Sequence, residues 1–269
     1  MKRPTAALLL AAIVAALALG LWAWLRPRPL VVCADPNNLP FSNRAGEGFE
    51  NRLAALLGAE LHRPVRYVWW AQRRGFVRST IGGGSCDLWP GVSTGLDRLA
   101  TSRPYYRSTY MFVTRGDAGL SGLTLDDPRL RRLRLGVQMI GNNGGNTPPA
   151  HALSRRGIIA NVRGFMLYGD YRTPNPPTAI LRAVADRDID VGLVWGPLAG
   201  WYAQHSPVKL RLEPVTPWLD GMQWPMIYEI SVGVGKDDPK LLKAINAVLA
   251  RRRADIARLL QDYGVPQVG

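Results

Sequence analysis

The chain has little of what most enzymes are built from. Its three histidines, His62, His151 and His205, lie far apart, and no pair has the spacing of zinc ligands. The two cysteines, Cys33 and Cys86, make no metal pair either. No dinucleotide fingerprint is present, and the glycine-rich stretch Gly141-Asn142-Asn143-Gly144-Gly145-Asn146 lacks the Gly-Lys-Ser/Thr ending of a phosphate loop. Nothing in the order of residues suggests a Ser-His-Asp group. The chain therefore reads as a non-enzyme with no cofactor or metal of its own. Acidic residues are also scarce: 20 Asp and Glu stand against 34 Lys and Arg, a net charge of +14. Such a balance suits nucleic acid, an anionic surface or an acidic protein. No nucleic-acid recognition motif appears. An acidic partner that docks by charge, or an excess without function, remains. There is no low-complexity tract and no internal repeat.

What is present begins with an apolar run. Lys2 and Arg3 precede Ala6 to Leu25, interrupted only by Gly20. A charged start followed by such a run reads as an export signal, with Ala16-Leu17-Ala18 offering a small-residue cleavage site. The run is also close to the roughly 20 residues of a membrane span, so an uncleaved anchor is the alternative. Either outcome places the remainder beyond the membrane, which is touched through residues 1–29 alone. About 240 residues remain, enough for one large domain or two small ones.

The stretch Leu30 to Phe41 then sets the theme. An apolar, β-branched run stops at Asp35-Pro36-Asn37-Asn38. Open α/β sheets bind ligands at such strand ends. Strands are expected at 30–35, Val65–Trp69, Asp87–Val92 and Tyr110–Thr114, with helices at 49–62 and Arg74–Ile81 between them. The pattern restarts with strands at Leu133–Gln138, Asn161–Leu167, Ile189–Trp195 and Leu210–Val215. Helices open at Thr147-Pro148-Pro149, at Pro176-Pro177-Thr178 and at Pro197. A last strand, Tyr228–Val234, precedes one long helix from Asp238 to Gly264. This is α/β logic twice over, with a crossing near 113–116 and a return near 222–228. It predicts two doubly wound lobes, residues 30–113 with 225–269 and residues 114–224, hinged around a cleft. In such a sheet the strands carrying Cys33 and Cys86 fall side by side. A bridge between them or two separate buried thiols are the alternatives, export permitting the bridge.

At this point a family resemblance carries further. Gly48-Phe49-Glu50 and Arg103-Pro104-Tyr105-Tyr106 resemble type 2 periplasmic solute-binding proteins of the polar amino acid group. Longer segments are similar to the quinoprotein-dehydrogenase-associated binding proteins, the J-type accessory proteins of periplasmic methanol oxidation. These are Val32 to Asn43, Trp70 to Arg78, Arg103 to Tyr110, Asn146 to Leu153 and Val194 to Gly200. The resemblance implies a type 2 periplasmic-binding-protein fold reused as an accessory. Its implied partner is a methanol dehydrogenase that uses pyrroloquinoline quinone (PQQ) with calcium or a lanthanide, together with its cytochrome c. The alternative is a transporter receptor for a small polar solute. Amino acid receptors carry Thr-x-x-Arg after the third strand; here Thr94-Gly95-Leu96-Asp97-Arg98 has one residue too many, and Arg52 replaces their second acidic residue. An amino acid ligand is thereby disfavoured.

The candidate site follows from strand ends and aromatic-cationic clusters. Asp35, Asn37 and Asn38 line the cleft mouth or close an Asx-turn around Pro36. Trp70, Arg73 and Phe76 offer interface groups, whereas Trp69 is read as core. Arg103, Tyr105 and Tyr106 precede the crossing strand, and alternation turns Tyr106 and Tyr110 one way and Tyr105 the other. Phe41, Arg98, Gln138, Asn142 and Trp195 complete the set. Trp195, Trp201, Trp218 and Trp224 either wall a wide cavity or pack in the core.

Overall fold

The computed structural model describes residues 27–72, 75–140, 146–167, 173 and 175–268. The N-terminal apolar run, Arg73, Arg74 and Asn142 therefore lie outside the described residues. Among those described, no helix is long and apolar enough to cross a membrane.

The first part of the chain holds β1 (Leu30–Ala34), β2 (Asn37–Asn38), β3 (Ser42–Asn43), α1 (Phe49–Glu60), β4 (Val65–Trp69) and α2 (Phe76–Ser79). Then come β5 (Leu88–Ser93), β6 (Ala100–Thr101) and β7 (Tyr106–Arg115). The middle part contributes β8 (Leu135–Met139), α3 (Pro148–Arg155), β9 (Val162–Met166), α4 (Ala179–Ala185), β10 (Val191–Trp195), α5 (Gly196–His205) and β11 (Leu210–Pro214). A small hairpin of β12 (Leu219–Asp220) and β13 (Trp224–Pro225) leads to β14 (Ile227–Val234), α6 (Pro239–Arg251) and α7 (Arg253–Asp262).

The main sheet runs β4-β1-β5-β14-β7-β10-β8-β9, with β6 on β14 and β11 on β7. Two parallel triplets, β4-β1-β5 and β10-β8-β9, stand at its ends. Antiparallel β14 and β7 join them. The ten-residue β7 changes partners midway: Tyr106–Thr109 face Ile230–Ile227 of β14, whereas Tyr110–Val113 face Trp195–Gly192 of β10. This strand begins four residues before the expected Tyr110, because Tyr106 and Ser108 are buried and paired along β14.

Apolar residues cover both faces of each triplet, as parallel strands require. Leu30, Val32 and Leu88 pack with Phe49, Leu53 and the α6 stripe of Ile245 and Val248; Cys33, Phe76, Ile81 and Leu99 cover the other face. In the second triplet Leu135, Val137 and Leu193 pack on Leu125 and Leu153, whereas Val194 packs with Ile180, Leu181 and Val184. The period of two along β7 divides its side chains likewise, Phe112 one way and Met111 and Val113 the other.

Two expected helices are shorter than read. The stretch Arg74–Ile81 supplies only Phe76–Ser79 and a 3-10 turn at Ile81–Gly83, and Pro176–Thr178 is a 3-10 turn before α4. The long C-terminal helix is two helices, broken at Arg252. Leu249 and Ile256 are buried, and a continuous helix would carry position 252 along that same stripe. A guanidinium cannot take that place. The break lets Arg252 reach Glu60 at 2.7 Å, beside Arg251 at 2.6 Å.

A cavity where the central strand changes partners

The site begins with the bend after β1. Asp35 is buried and fixes the bend through its own carboxylate: the backbone N–H of Asn37 donates to Oδ1 at 2.9 Å and that of Gln72 to Oδ2 at 2.7 Å. Ser42 Oγ donates to the Asp35 carbonyl at 2.9 Å and accepts from its N–H at 3.1 Å. The Asx-turn is therefore present, and Asp35 still lines a cavity of about 970 Å³. Helix α1 is brought close by Gly48, where a Cβ would lie 2.0 Å from the Phe41 carbonyl oxygen. Asn51 Oδ1 accepts from the N–H groups of Gly48 and Asn43 at 3.1 and 3.0 Å, locking helix to bend.

Both ends of the sheet supply the walls. Phe41, Glu50, Phe76 and Trp89 come from one side; Gln138, Pro148, Trp195 and Trp224 come from the other. Tyr106 and Tyr110, on either side of the β7 partner change, line the same space. The ring of Trp195 sits edge-on to Tyr110 and Tyr228, with centroids 5.3 and 5.9 Å away. Gln138 is held by its carbonyl, which accepts from Thr147 Oγ1 at 2.6 Å. Gln138 Nε2 and Trp89 Nε1 are buried donors with no partner among the described residues. Burial raises the Glu50 carboxyl well above its ordinary value, and the nearby Asp35 charge adds to it. Burial likewise pushes the Tyr106 and Tyr110 hydroxyls upward, helped at Tyr106 by Glu50 and at Tyr110 by Tyr228.

Of the residues read from sequence, Asp35, Asn38, Phe41, Phe76, Arg98, Tyr106, Gln138 and Trp195 line this cavity. Asn37, Trp70, Arg103 and Tyr105 do not. Asn37 instead ties the bend to the segment before α4: its Nδ2 donates to the Thr173 carbonyl at 2.8 Å, and Asn175 N–H donates to its Oδ1 at 3.0 Å. Trp70 lies past the end of edge strand β4 and is half exposed. Arg103 is exposed, its N–H donating to Asn246 Oδ1 at 2.7 Å. Tyr105 stands just before β7 and meets Tyr106 edge-on at 5.0 Å. Of the tryptophans, Trp195 and Trp224 line the space and Trp201 and Trp218 do not. Glu50, Trp89 and Tyr228 were missed as site residues. Glu50 could have been found, since an acid in the first turn of a helix beginning beside a strand-end bend faces that crevice. Among the described residues no His, Cys, Asp and Glu cluster could hold a metal ion.

No family model matches the chain. It is 32% identical over 249 residues to Protein MoxJ of Methylorubrum extorquens, covering 88% of this chain and 81% of that one. It is 32% identical over 263 residues to Protein MoxJ of Paracoccus denitrificans, covering 94% of each. The chain belongs to the MoxJ family. Among solved structures, the periplasmic binding protein XoxJ of Methylobacterium extorquens AM1 is 35% identical, with a TM-score of 0.72 over 89% of this chain and 99% of that one. An amino acid ABC transporter substrate-binding protein shares 18% identity and a TM-score of 0.59, which establishes the fold alone. This MoxJ-family chain thus has the periplasmic-binding-protein fold. In it, Arg98 lines the cavity although it stands one residue later than the receptors' arginine.

Proposed function

We propose that this MoxJ-family chain is a periplasmic accessory factor for a PQQ-dependent methanol dehydrogenase, assisting its maturation or activation without catalysing a reaction itself. Residues 30–113 with 225–269 form one lobe and residues 114–224 the other, and the two close on a segment of the dehydrogenase. The observation that carries this reading is the cavity. At about 970 Å³ it matches the upper end of small-ligand sites, and its aromatic walls suit side chains of a protein segment.

The cavity rim supports a protein partner. On the β12–β13 hairpin Trp218, Leu219 and Met222 are exposed, Met222 to 95%. Exposed apolar groups of this size, gathered on one hairpin, mark an interaction site. The hairpin that presents them is held firmly. Its buried Asp220 pairs with Arg156 at 2.8 Å, and Trp224 stacks on His151 at 3.8 Å. The net charge of +14 favours an acidic partner, the dehydrogenase first and its cytochrome c second.

Deletion of the gene is expected to abolish or sharply reduce methanol oxidation, and the purified chain to bind the dehydrogenase more weakly as salt rises. Normal methanol oxidation in a clean deletion strain contradicts the reading. A thermal shift with one small polar solute, and none with the dehydrogenase, would instead assign a transporter receptor.

A further inference from the structure

Among the described residues Glu50 has no cationic partner. It is 5% exposed, lines the cavity, and accepts no hydrogen bond and joins no ion pair among the described residues. Asp35 beside it is different, since both of its oxygens take backbone N–H groups. The place for Glu50 is built. At Gly91, φ is +80° and a Cβ would lie 2.0 Å from Glu50 Oε1, so only glycine leaves room for this carboxylate. Tyr106, Tyr110, Trp195 and Tyr228 line the same space.

A buried charge is costly unless it is paired. Aromatic faces attract cations, most strongly where water is excluded. We infer that the cavity takes an organic cation, an ammonium or guanidinium group seated between the Glu50 carboxylate and the rings of Tyr106 and Trp195. This rests on the reading of the cavity as a binding site and names the chemistry it selects. The cation is a lysine or arginine side chain of a docked segment, or a free amine. Burial and the Asp35 charge favour the protonated form of Glu50 while the cavity is empty. As the cation enters, the Glu50 O–H bond breaks, its proton passes to solvent and the carboxylate pairs with the cation. The other charged and titratable groups around it are Asp35 in the bend after β1, Tyr67 on β4, Tyr105 just before β7 and Tyr106 at its start; Arg78 and Arg98 also line the cavity without pairing with Glu50.

The test is calorimetric titration of the full chain with benzamidinium and with neutral benzamide, at pH 6 and pH 8, in two buffers of different ionisation enthalpy. Benzamidinium is expected to bind at least about tenfold more tightly than benzamide, which corresponds to ~1.4 kcal/mol. Its affinity rises with pH, with about one proton released per cation bound. Glu50→Gln, which keeps the side chain's size, should weaken benzamidinium about tenfold and abolish the proton release while still melting cooperatively. Equal binding of benzamide, pH-independent affinity, or an unaltered Glu50→Gln variant would overturn the assignment. If the dehydrogenase binds and benzamidinium does not, the cation site falls and the accessory reading stands. If benzamidinium binds and the dehydrogenase does not, the reverse holds. Displacement of benzamidinium by the dehydrogenase assigns the cation to a partner side chain; cation binding undisturbed by the dehydrogenase assigns it to a free amine.

Discussion

Replacing Cys33 and Cys86 with alanine will lower the unfolding free energy by about 4 kcal/mol in the chain-entropy account. The structure bonds the two sulfurs, with Cα atoms 5.6 Å apart and 53 residues between them in sequence. Strands β1 and β5 are parallel neighbours through Val32 and Leu88; Cys33 belongs to β1 and Cys86 stands just before β5. Both are buried, packed with Phe76, Ile81 and Leu99, so reduction also leaves an imperfect core. For a protein of this size, a loss of about 4 kcal/mol corresponds to roughly 8–16 °C in melting temperature. Thermal unfolding measures it. Intact mass after alkylation without reductant provides the chemical check, since the bonded pair takes up no adduct. Two adducts, or an unchanged melting temperature, would count against the bridge.

The second large effect is a reversal of pH dependence at Glu50. Its carboxyl is held well above the ordinary carboxylate value of 4.5, first by burial and then by Asp35. Between that ordinary value and the raised one, the native state keeps a proton that the unfolded chain releases. The unfolded state then binds fewer protons, so stability falls as pH rises through this window. The contribution is complete below the unfolded value and is lost as pH climbs through the folded one. Glu50→Gln removes this term. The variant is therefore expected to melt a few degrees above the wild type at pH 8, each kcal/mol corresponding to about 2–4 °C, and to converge with it near pH 4. Melting curves across that range decide the matter; a constant difference between the two proteins would show that Glu50 titrates normally.

Much of the fold was legible because strand signals were strong. The β-branched run into Asp35-Pro36, and the apolar Val191–Trp195, could hardly be anything but buried parallel strands. The break at Arg252 was not legible, since helix periodicity continues smoothly through the three arginines and only the position of Glu60 on α1 reveals where Arg252 must go. The site was half visible. Asp35, Asn38 and Gln138 follow from the rule that crevices form at strand ends. Asn37 defeated the same rule because it neighbours Asn38 on β2, where successive side chains take opposite sides, and it ties down Thr173 and Asn175 instead. Glu50 was within reach, as an acid opening a helix beside the strand-end bend, but how closely it approaches β5 was not. Glu50 meets β5 at Gly91, a contact that spans 41 residues and leaves no local trace.

The proposed function requires the dehydrogenase to be held at the cavity where β7 changes partners. Hydrogen–deuterium exchange of the chain, alone and mixed with the dehydrogenase, tests this most directly. Protection is expected to concentrate on Phe41, the Tyr106–Tyr110 half of β7, Trp195 to Leu198 and the hairpin carrying Met222 and Trp224. Protection confined to the far faces of α6 and α7, with these segments exchanging as in the free chain, would contradict it.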